Sequence, residues 1–294
     1  MMIIGVQKAG TTSLKNYLSQ HPHIESHIQT EFSYFTDLNE YSKGYDFAFK
    51  KYVSNKDVRS DTKVIAKNAV IYASERELQL LHEHNPDVII VLILRNPVDR
   101  AYSAYNMEKT FNSDWMESRF ENLVEIIDNK EFDNYFYRLF IKLGLYSEYL
   151  ETIYKYFPKQ QVKIFLFEDF KKDPLKVCRI LFNSLGLSAD YTPDISVIHN
   201  KTAKTKSKAA GKFLDWLRDN NNYFKRFFKF VLPHDTFINL SYKLIELNKS
   251  KTKMISPLNE RVKSRLEDYF RPYNKKIESM TGMDLSSWKS DSEK

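Results

Sequence analysis

The sequence predicts an α/β fold: a P-loop-like parallel sheet flanked by helices on both faces, with a helical C-terminal part. Three observations predict it. Short apolar runs alternate with helical periodicities from residue 1 to about residue 188. Residues 88–94 are seven consecutive aliphatic side chains, the pattern of a central strand covered on both faces. Two of the seven glycines, Gly5 and Gly10, bracket the first strand-to-helix turn of a 294-residue chain that is otherwise poor in glycine.

Each element follows from local pattern. Residues 1–6 read as a short buried strand, 7–10 as a turn, and 11–20 as a helix with Leu14, Tyr17 and Leu18 on one face. Residues 64–66 form a second short strand. Ser74 is placed to cap a helix, with Glu77 completing a capping box, and that helix ends before Pro86. After the 88–94 strand, Pro97 permits a helix from about Val98. Helices are expected over 116–129 and 147–157, a strand over 162–167, and a helix over 174–185. Beyond Ser188 no strand pattern stands out, and an amphipathic helix runs from Leu258 to about Met280. No repeat or Pro/Gly/Ser-rich linker marks a boundary. The expectation is one domain over 1–294, with an α/β nucleotide-binding core at 1–188 and a basic loop plus helices at 189–294.

Composition excludes several classes. Hydrophobic residues make up 42% and charged residues 28%, which is globular rather than disordered. A single cysteine, Cys178, cannot close an internal disulfide or build a Cys-based zinc site. No apolar run approaches the length that crosses a bilayer, and no signal peptide precedes the first strand, so a cytoplasmic protein is expected. Forty-five Lys and Arg stand against 38 acids, a net charge of +7. Residues 199–230 hold nine basic and two acidic residues, so that segment alone accounts for the whole excess. Such a surplus points to an anionic partner without choosing one.

Two motifs choose further. Gly5-Val6-Gln7-Lys8-Ala9-Gly10-Thr11-Thr12-Ser13 joins a strand to a helix with the glycine spacing of a phosphate loop. Glycines admit an anion close to the backbone, and free N–H groups at a helix start point at it. Hydroxyls of Thr11, Thr12 and Ser13 add donors. Thr11 stands where a nucleoside-triphosphate loop carries lysine, and the lysine lies inside the loop as Lys8. In the second motif, Arg95 sits at the C-terminal end of the most apolar strand, where open parallel sheets bind ligands. Ser103 follows two helical turns later. An arginine and a hydroxyl so placed can share one phosphate, so the ligand carries two separated phosphate-like groups.

These motifs, G-x-x-K-x-G-T-T-S-L and L-R-N-P-x-x-R-A-x-S-x-Y, resemble those of sulfotransferases that use 3′-phosphoadenosine 5′-phosphosulfate (PAPS). Gly144-Leu145-Tyr146-Ser147-Glu148-Tyr149-Leu150, Tyr269-Phe270-Arg271-Pro272-Tyr273-Asn274 and Thr281-Gly282-Met283-Asp284 extend the likeness, the latter two to the heparan sulfate-type and bacterial branch. The resemblance implies transfer of a sulfuryl group from PAPS to a hydroxyl or amine, leaving adenosine 3′,5′-bisphosphate and requiring no metal. It implies a 5′-phosphosulfate loop at Lys8, Ala9, Gly10, Thr11, Thr12 and Ser13, with Lys8 stabilising the leaving phosphate. It implies a 3′-phosphate site at Arg95 and Ser103, and a basic loop over the nucleotide for which Lys206 and Lys208 are the candidates. No histidine occupies the second-strand region that supplies the base in cytosolic small-molecule members. Glu31, in Thr30-Glu31-Phe32-Ser33-Tyr34-Phe35, matches the glutamate base of the heparan sulfate type instead. Lys67 matches a lysine near the transferring group.

The expected acceptor is a small metabolite or natural product, with a sugar, glycan or lipid as the alternative. A P-loop kinase is disfavoured because Gly-Lys-Ser/Thr and a Walker-B aspartate are missing. Nucleic-acid or polyanion binding through 201–229 is the non-enzyme alternative. His21, His23 and His27 read as a surface turn rather than a metal site. His82 and His84 read as helix-end residues with a dipole role, and Cys178 as core. The Phe/Lys-rich run 223–231 reads as a helix with an apolar docking face.

Overall fold

A computed structural model describes residues 1–53, 61–111, 119–196 and 257–288. Strand β1 (Met2–Gly5) runs into helix α1 (Thr11–Leu18), followed by β2 (Ile24–Ser26). Short helices α2 (Leu38–Tyr41) and α3 (Tyr45–Tyr52) precede β3 (Lys63–Lys67). Then come α4 (Glu75–His84), β4 (Ile90–Leu94), α5 (Pro97–Phe111) and α6 (Asn122–Asp128). Next follow α7 (Tyr146–Tyr156), β5 (Val162–Leu166), α8 (Phe167–Lys172) and α9 (Pro174–Ser184). The C-terminal helix, α10, spans Glu260–Thr281.

The strands lie in the order β2-β3-β1-β4-β5 and every neighbouring pair is parallel. All five residues of β4 are buried, as a run of aliphatic residues between two helical layers requires. Helices flank the sheet, with α9 packed on α1 and α8, and α7 packed on α4 and α10. From β1 the chain runs to the sheet edge as β2, comes back as β3 between β2 and β1, then crosses to add β4 and β5 on the other side. The switch point therefore lies between β1 and β4, and their C-terminal ends open the crevice where such sheets bind ligands.

A second core lies beside the first. It joins Val98, Ala101 and Tyr105 of α5 to Leu123, Phe140 and the N-terminal half of α10 through Val262, Leu266 and Phe270. Farther along α10, Ile277 belongs to the sheet core, so this one helix is shared by both cores. Phe270 lies against Gly144, where an added Cβ would sit 2.9 Å from the ring.

Several sequence expectations are corrected. The three-histidine segment is not a surface turn: Ile24–Ser26 is the edge strand β2, and His21 and His27 are 5% and 2% exposed. Its polar letters hid it, because an edge strand three residues long gives no alternation to read. Ser74 caps α4 in position but makes no side-chain cap bond; Glu77 pairs with Arg76 at 3.3 Å instead of closing a capping box. His82 and His84 lie in the last turn of α4 as expected; His84 in addition packs on the Tyr45 ring at 4.4 Å, and partial desolvation there lowers its pKa. In the 116–129 region the described helix is Asn122–Asp128. Cys178 is core, as expected, with burial pushing its thiol up to about 12. The 199–230 segment, with Lys206 and Lys208, and the 223–231 run lie outside the described residues.

Candidate active site

The loop after β1 is built by backbone constraint. Gly10 caps α1 at φ 82° and offers no side-chain cap, so the first-turn N–H groups are left to an external acceptor. A Cβ at Gly10 would stand 3.0 Å from the Phe170 ring, so conformation and packing both demand glycine. At Gly5 the demand is packing alone, since a Cβ would lie 2.5 Å from the Tyr72 ring. Lys8 is itself left-handed, at φ 72°, a sparsely populated conformation for a residue with a side chain. Its Nζ reaches Met107 Sδ on α5 at 3.4 Å.

The strand β4 supplies the second side. Asn96 explains its own place in Arg95-Asn96-Pro97: its Oδ1 accepts from Val98 N at 2.9 Å and Asp99 N at 3.3 Å, which starts α5. Arg95 is thereby left at the strand end, facing the loop. Its Nη1 donates to Lys8 O at 2.8 Å, and its guanidinium lies 4.8 Å over the Phe167 ring. Tyr146 Oη fixes the Arg95 carbonyl at 2.9 Å. Burial lowers the Arg95 pKa, and its buried Nε has no hydrogen-bond partner. A buried guanidinium donor left open suits an incoming phosphate oxygen. Ser103 is half-buried on α5, on the same helix face as Met107 one turn later, so that face is turned toward the Lys8 loop.

The third side is a buried ion pair. Lys67, at the end of β3, is 1% exposed, and its Nζ donates to Glu31 Oε1 at 2.6 Å and to Thr12 Oγ1 at 3.1 Å. Glu31 Oε2 accepts from Ala69 N at 3.0 Å, while its side chain keeps 38% exposure. Burial lowers the Lys67 pKa and the nearby Glu31 carboxylate acts against that shift. Phe32 N donates to Lys67 O at 2.7 Å and Asn68 Nδ2 to Phe32 O at 3.1 Å, which stitches the Glu31 loop to β3. Lys8, Thr12, Glu31, Lys67 and Arg95, scattered over 88 residues of sequence, are thus brought to one end of the sheet.

Sequence reasoning missed two residues here. Lys15 is 7% exposed and donates from Nζ to His27 O at 2.8 Å; His27 Nε2 accepts the Lys67 amide at 3.0 Å. The signal existed: positions 11, 14, 15 and 18 share one helix face, so Lys15 falls inside the apolar stripe. Among the described residues no cluster of metal-ligating side chains occurs, and no helix is long and apolar enough to cross a membrane.

An uncapped helix start beside an open guanidinium, at the switch point of a parallel sheet, defines a phosphate-loop-like α/β protein whose crevice suits an anion. Comparison with known proteins narrows the class. A family model described as sulfotransferase domain matches residues 1–231. The chain belongs to the sulfotransferase family, and so to the transferases. Mouse (Mus musculus) bifunctional heparan sulfate N-deacetylase/N-sulfotransferase 4 is 24% identical over 298 residues, covering 98% of this chain and 30% of that protein. Mouse heparan sulfate glucosamine 3-O-sulfotransferase 3B1 is 24% identical, covering 97% of this chain and 63% of that protein. The chain therefore spans less than two thirds of these relatives. A crystal structure of a sulfotransferase from Alicyclobacillus acidocaldarius superposes with a TM-score of 0.64 at 22% identity, covering 98% of this chain and 97% of that one, which confirms the fold.

Proposed function

We propose that the chain moves a sulfuryl group from PAPS to a hydroxyl or amine of a small-molecule acceptor. The observation that carries this reading is the Lys67 ammonium, which joins Glu31 to Thr12 of the anion loop. It sets a half-exposed carboxylate beside the place where the loop receives an anion. When bound, the donor supplies the sulfuryl group and leaves as adenosine 3′,5′-bisphosphate. The residues fit it: the uncapped start of α1 suits its 5′ anion and the open Nε of Arg95 suits its 3′-phosphate.

In this reading Lys8, with Ala9, Gly10, Thr11, Thr12 and Ser13, holds the 5′ end, and the Lys8 ammonium balances charge on the departing phosphate. Arg95 and Ser103 hold the 3′-phosphate. Glu31 takes the proton of the acceptor hydroxyl or amine, and Lys67 orients that carboxylate. Lys206 and Lys208, outside the described residues, are the further candidates for contact with the donor. One domain carries all of this, since α10 belongs to both cores. A sugar acceptor is the second reading, favoured by relatives whose names specify heparan sulfate.

Thermal shift tests the donor assignment. Adenosine 3′,5′-bisphosphate is expected to raise Tm, by linkage, where ATP–Mg does not. Stabilisation by ATP–Mg alone would overturn the reading. Labelled PAPS with a panel of hydroxylated and aminated small molecules and sugars then separates the two acceptor classes.

A further inference from the structure

Behind the Glu31–Lys67 pair lies a second buried cation that the proposed transfer does not use. Lys15 sits on α1 three residues after Thr12, so both lie on one side of that helix. Its side chain cannot reach free solvent as an ordinary surface lysine does, being 7% exposed. It spends a donor on the main chain of His27, at 2.8 Å. The His27 ring is also buried, 2% exposed, and turns Nε2 to the amide of Lys67 at 3.0 Å. An Nε2 that accepts places the ring proton on Nδ1 and makes the imidazole neutral. Burial is the first cause of that neutrality, with the Lys15 charge the next, and together they hold the His27 pKa down to about 3.

The contacts form a chain: Lys15 ammonium to His27 carbonyl, His27 imidazole to Lys67 amide, Lys67 ammonium to Glu31 and Thr12. We propose that Lys15 and His27 are positioning residues, which lock the end of β3 so that the Lys67 ammonium holds Glu31 and the anion loop in register. This rests on the function proposed above and assigns the parts of the same site that set its geometry. Without the Lys15 bond the His27 main chain loses its tie to α1. Without the imidazole acceptor, the buried Lys67 amide is left unsatisfied at the residue whose ammonium must be placed.

The relay also has an electrostatic consequence. The charged and titratable groups around the Lys15 ammonium are Glu25 on β2, His27 and Glu31 in the segment after β2, and Lys67 at the end of β3. With His27 neutral, the Lys15 and Lys67 ammoniums stand against the Glu31 and Glu25 carboxylates, so the positive charge of Lys15 offsets a negative one next to the anion loop. Burial, then repulsion from Lys67, brings the Lys15 pKa down to about 8. The Lys15 charge is present below that pH and fades above it, leaving the carboxylates less well balanced, so anion binding should weaken on the alkaline side.

Hydrogen exchange and nucleotide binding test the relay in the full chain. Lys15→Met keeps the length of the stem and removes the ammonium; His27→Phe keeps a ring and removes the acceptor. Both are expected to speed exchange at the Lys67 amide roughly tenfold or more relative to β4 amides, which report global stability. Both should weaken binding of adenosine 3′,5′-bisphosphate roughly three- to tenfold at neutral pH. In Lys15→Met the alkaline decline above about pH 8 should vanish, a change that mere loosening of the fold would not produce. Wild-type exchange at Lys67 with unchanged nucleotide affinity in both variants would overturn the relay and leave the proposed function standing. Failure of wild-type protein to bind the nucleotide would sink the proposed function, and exchange at Lys67, which needs no ligand, would still judge the relay. Where the variants fail to fold, ¹⁵N NMR of the wild-type imidazole decides: Nδ1 protonated and Nε2 accepting at about pH 5 supports the relay, and a doubly protonated His27 ring there overturns it.

Discussion

At the scale of single residues, the site is an economy of donors. Arg95 leaves its Nε open, while Glu31 has both oxygens engaged, by Lys67 and by the Ala69 amide. In the proposed function that contrast fits Arg95 to hold a ligand and Glu31 to act on it. Glu31→Gln tests the second role. The amide keeps the shape and one acceptor but cannot take a proton. Transfer from labelled PAPS should fall roughly 10²- to 10⁴-fold in kcat, the ordinary worth of a general base. Affinity for adenosine 3′,5′-bisphosphate should change far less, because the Arg95 side and the α1 start are untouched. A variant with wild-type kcat would remove Glu31 from the base role. Part of any stability loss reflects Lys67, which is left buried without its counter-charge.

At the scale of elements, the loop between β1 and α1 depends on one backbone conformation. Gly10 is left-handed and its Cα faces the Phe170 ring of α8. Gly10→Ala therefore carries a conformational cost and a steric one, together about 1–3 kcal/mol. Urea denaturation should show the loss, and nucleotide binding should weaken with it, since the helix start and the loop move together. Unchanged midpoint and affinity would mean that the loop tolerates a side chain there. The same element shows why its part of the sequence was legible. Strand, glycine-spaced turn and helix are adjacent in the chain, so the pattern that encodes them is local. β4 was equally plain, because burial on both faces writes itself as a continuous aliphatic run. β2 was not, being three residues at a sheet edge and stabilised by its pairing with β3 some forty residues on. The Lys15–His27–Lys67 chain was hidden for the same reason: polar residues are read as solvated unless their partners are known, and these partners are distant in sequence.

At the scale of the whole molecule, buried histidine sets the acid limit. Burial lowers the pKa of His21 and His27, and partial desolvation against Tyr45 lowers that of the exposed His84. His21 packs between Phe182 and Tyr191, both with ring centroids at 4.9 Å, and His84 on Tyr45. Each folded pKa lies below that of the unfolded chain, near 6.5. Above that value neither state holds the extra proton and pH has no effect through these groups. As pH falls below it, the unfolded chain takes up protons that the folded protein refuses, so stability declines. His21 and His27, both buried, each contribute a slope of up to about 1.4 kcal/mol per pH unit, ending where the folded form finally titrates, and the exposed His84 contributes less. For His27 that end lies at about 3, so its contribution is the longest. Denaturation followed between about pH 7 and pH 5 should show a steady fall in the urea midpoint. His27→Gln, which cannot take up a proton, should flatten that slope by one histidine's share. A slope that His27→Gln leaves unaltered would mean that the His27 ring is protonated in the folded protein and therefore cannot accept the Lys67 amide.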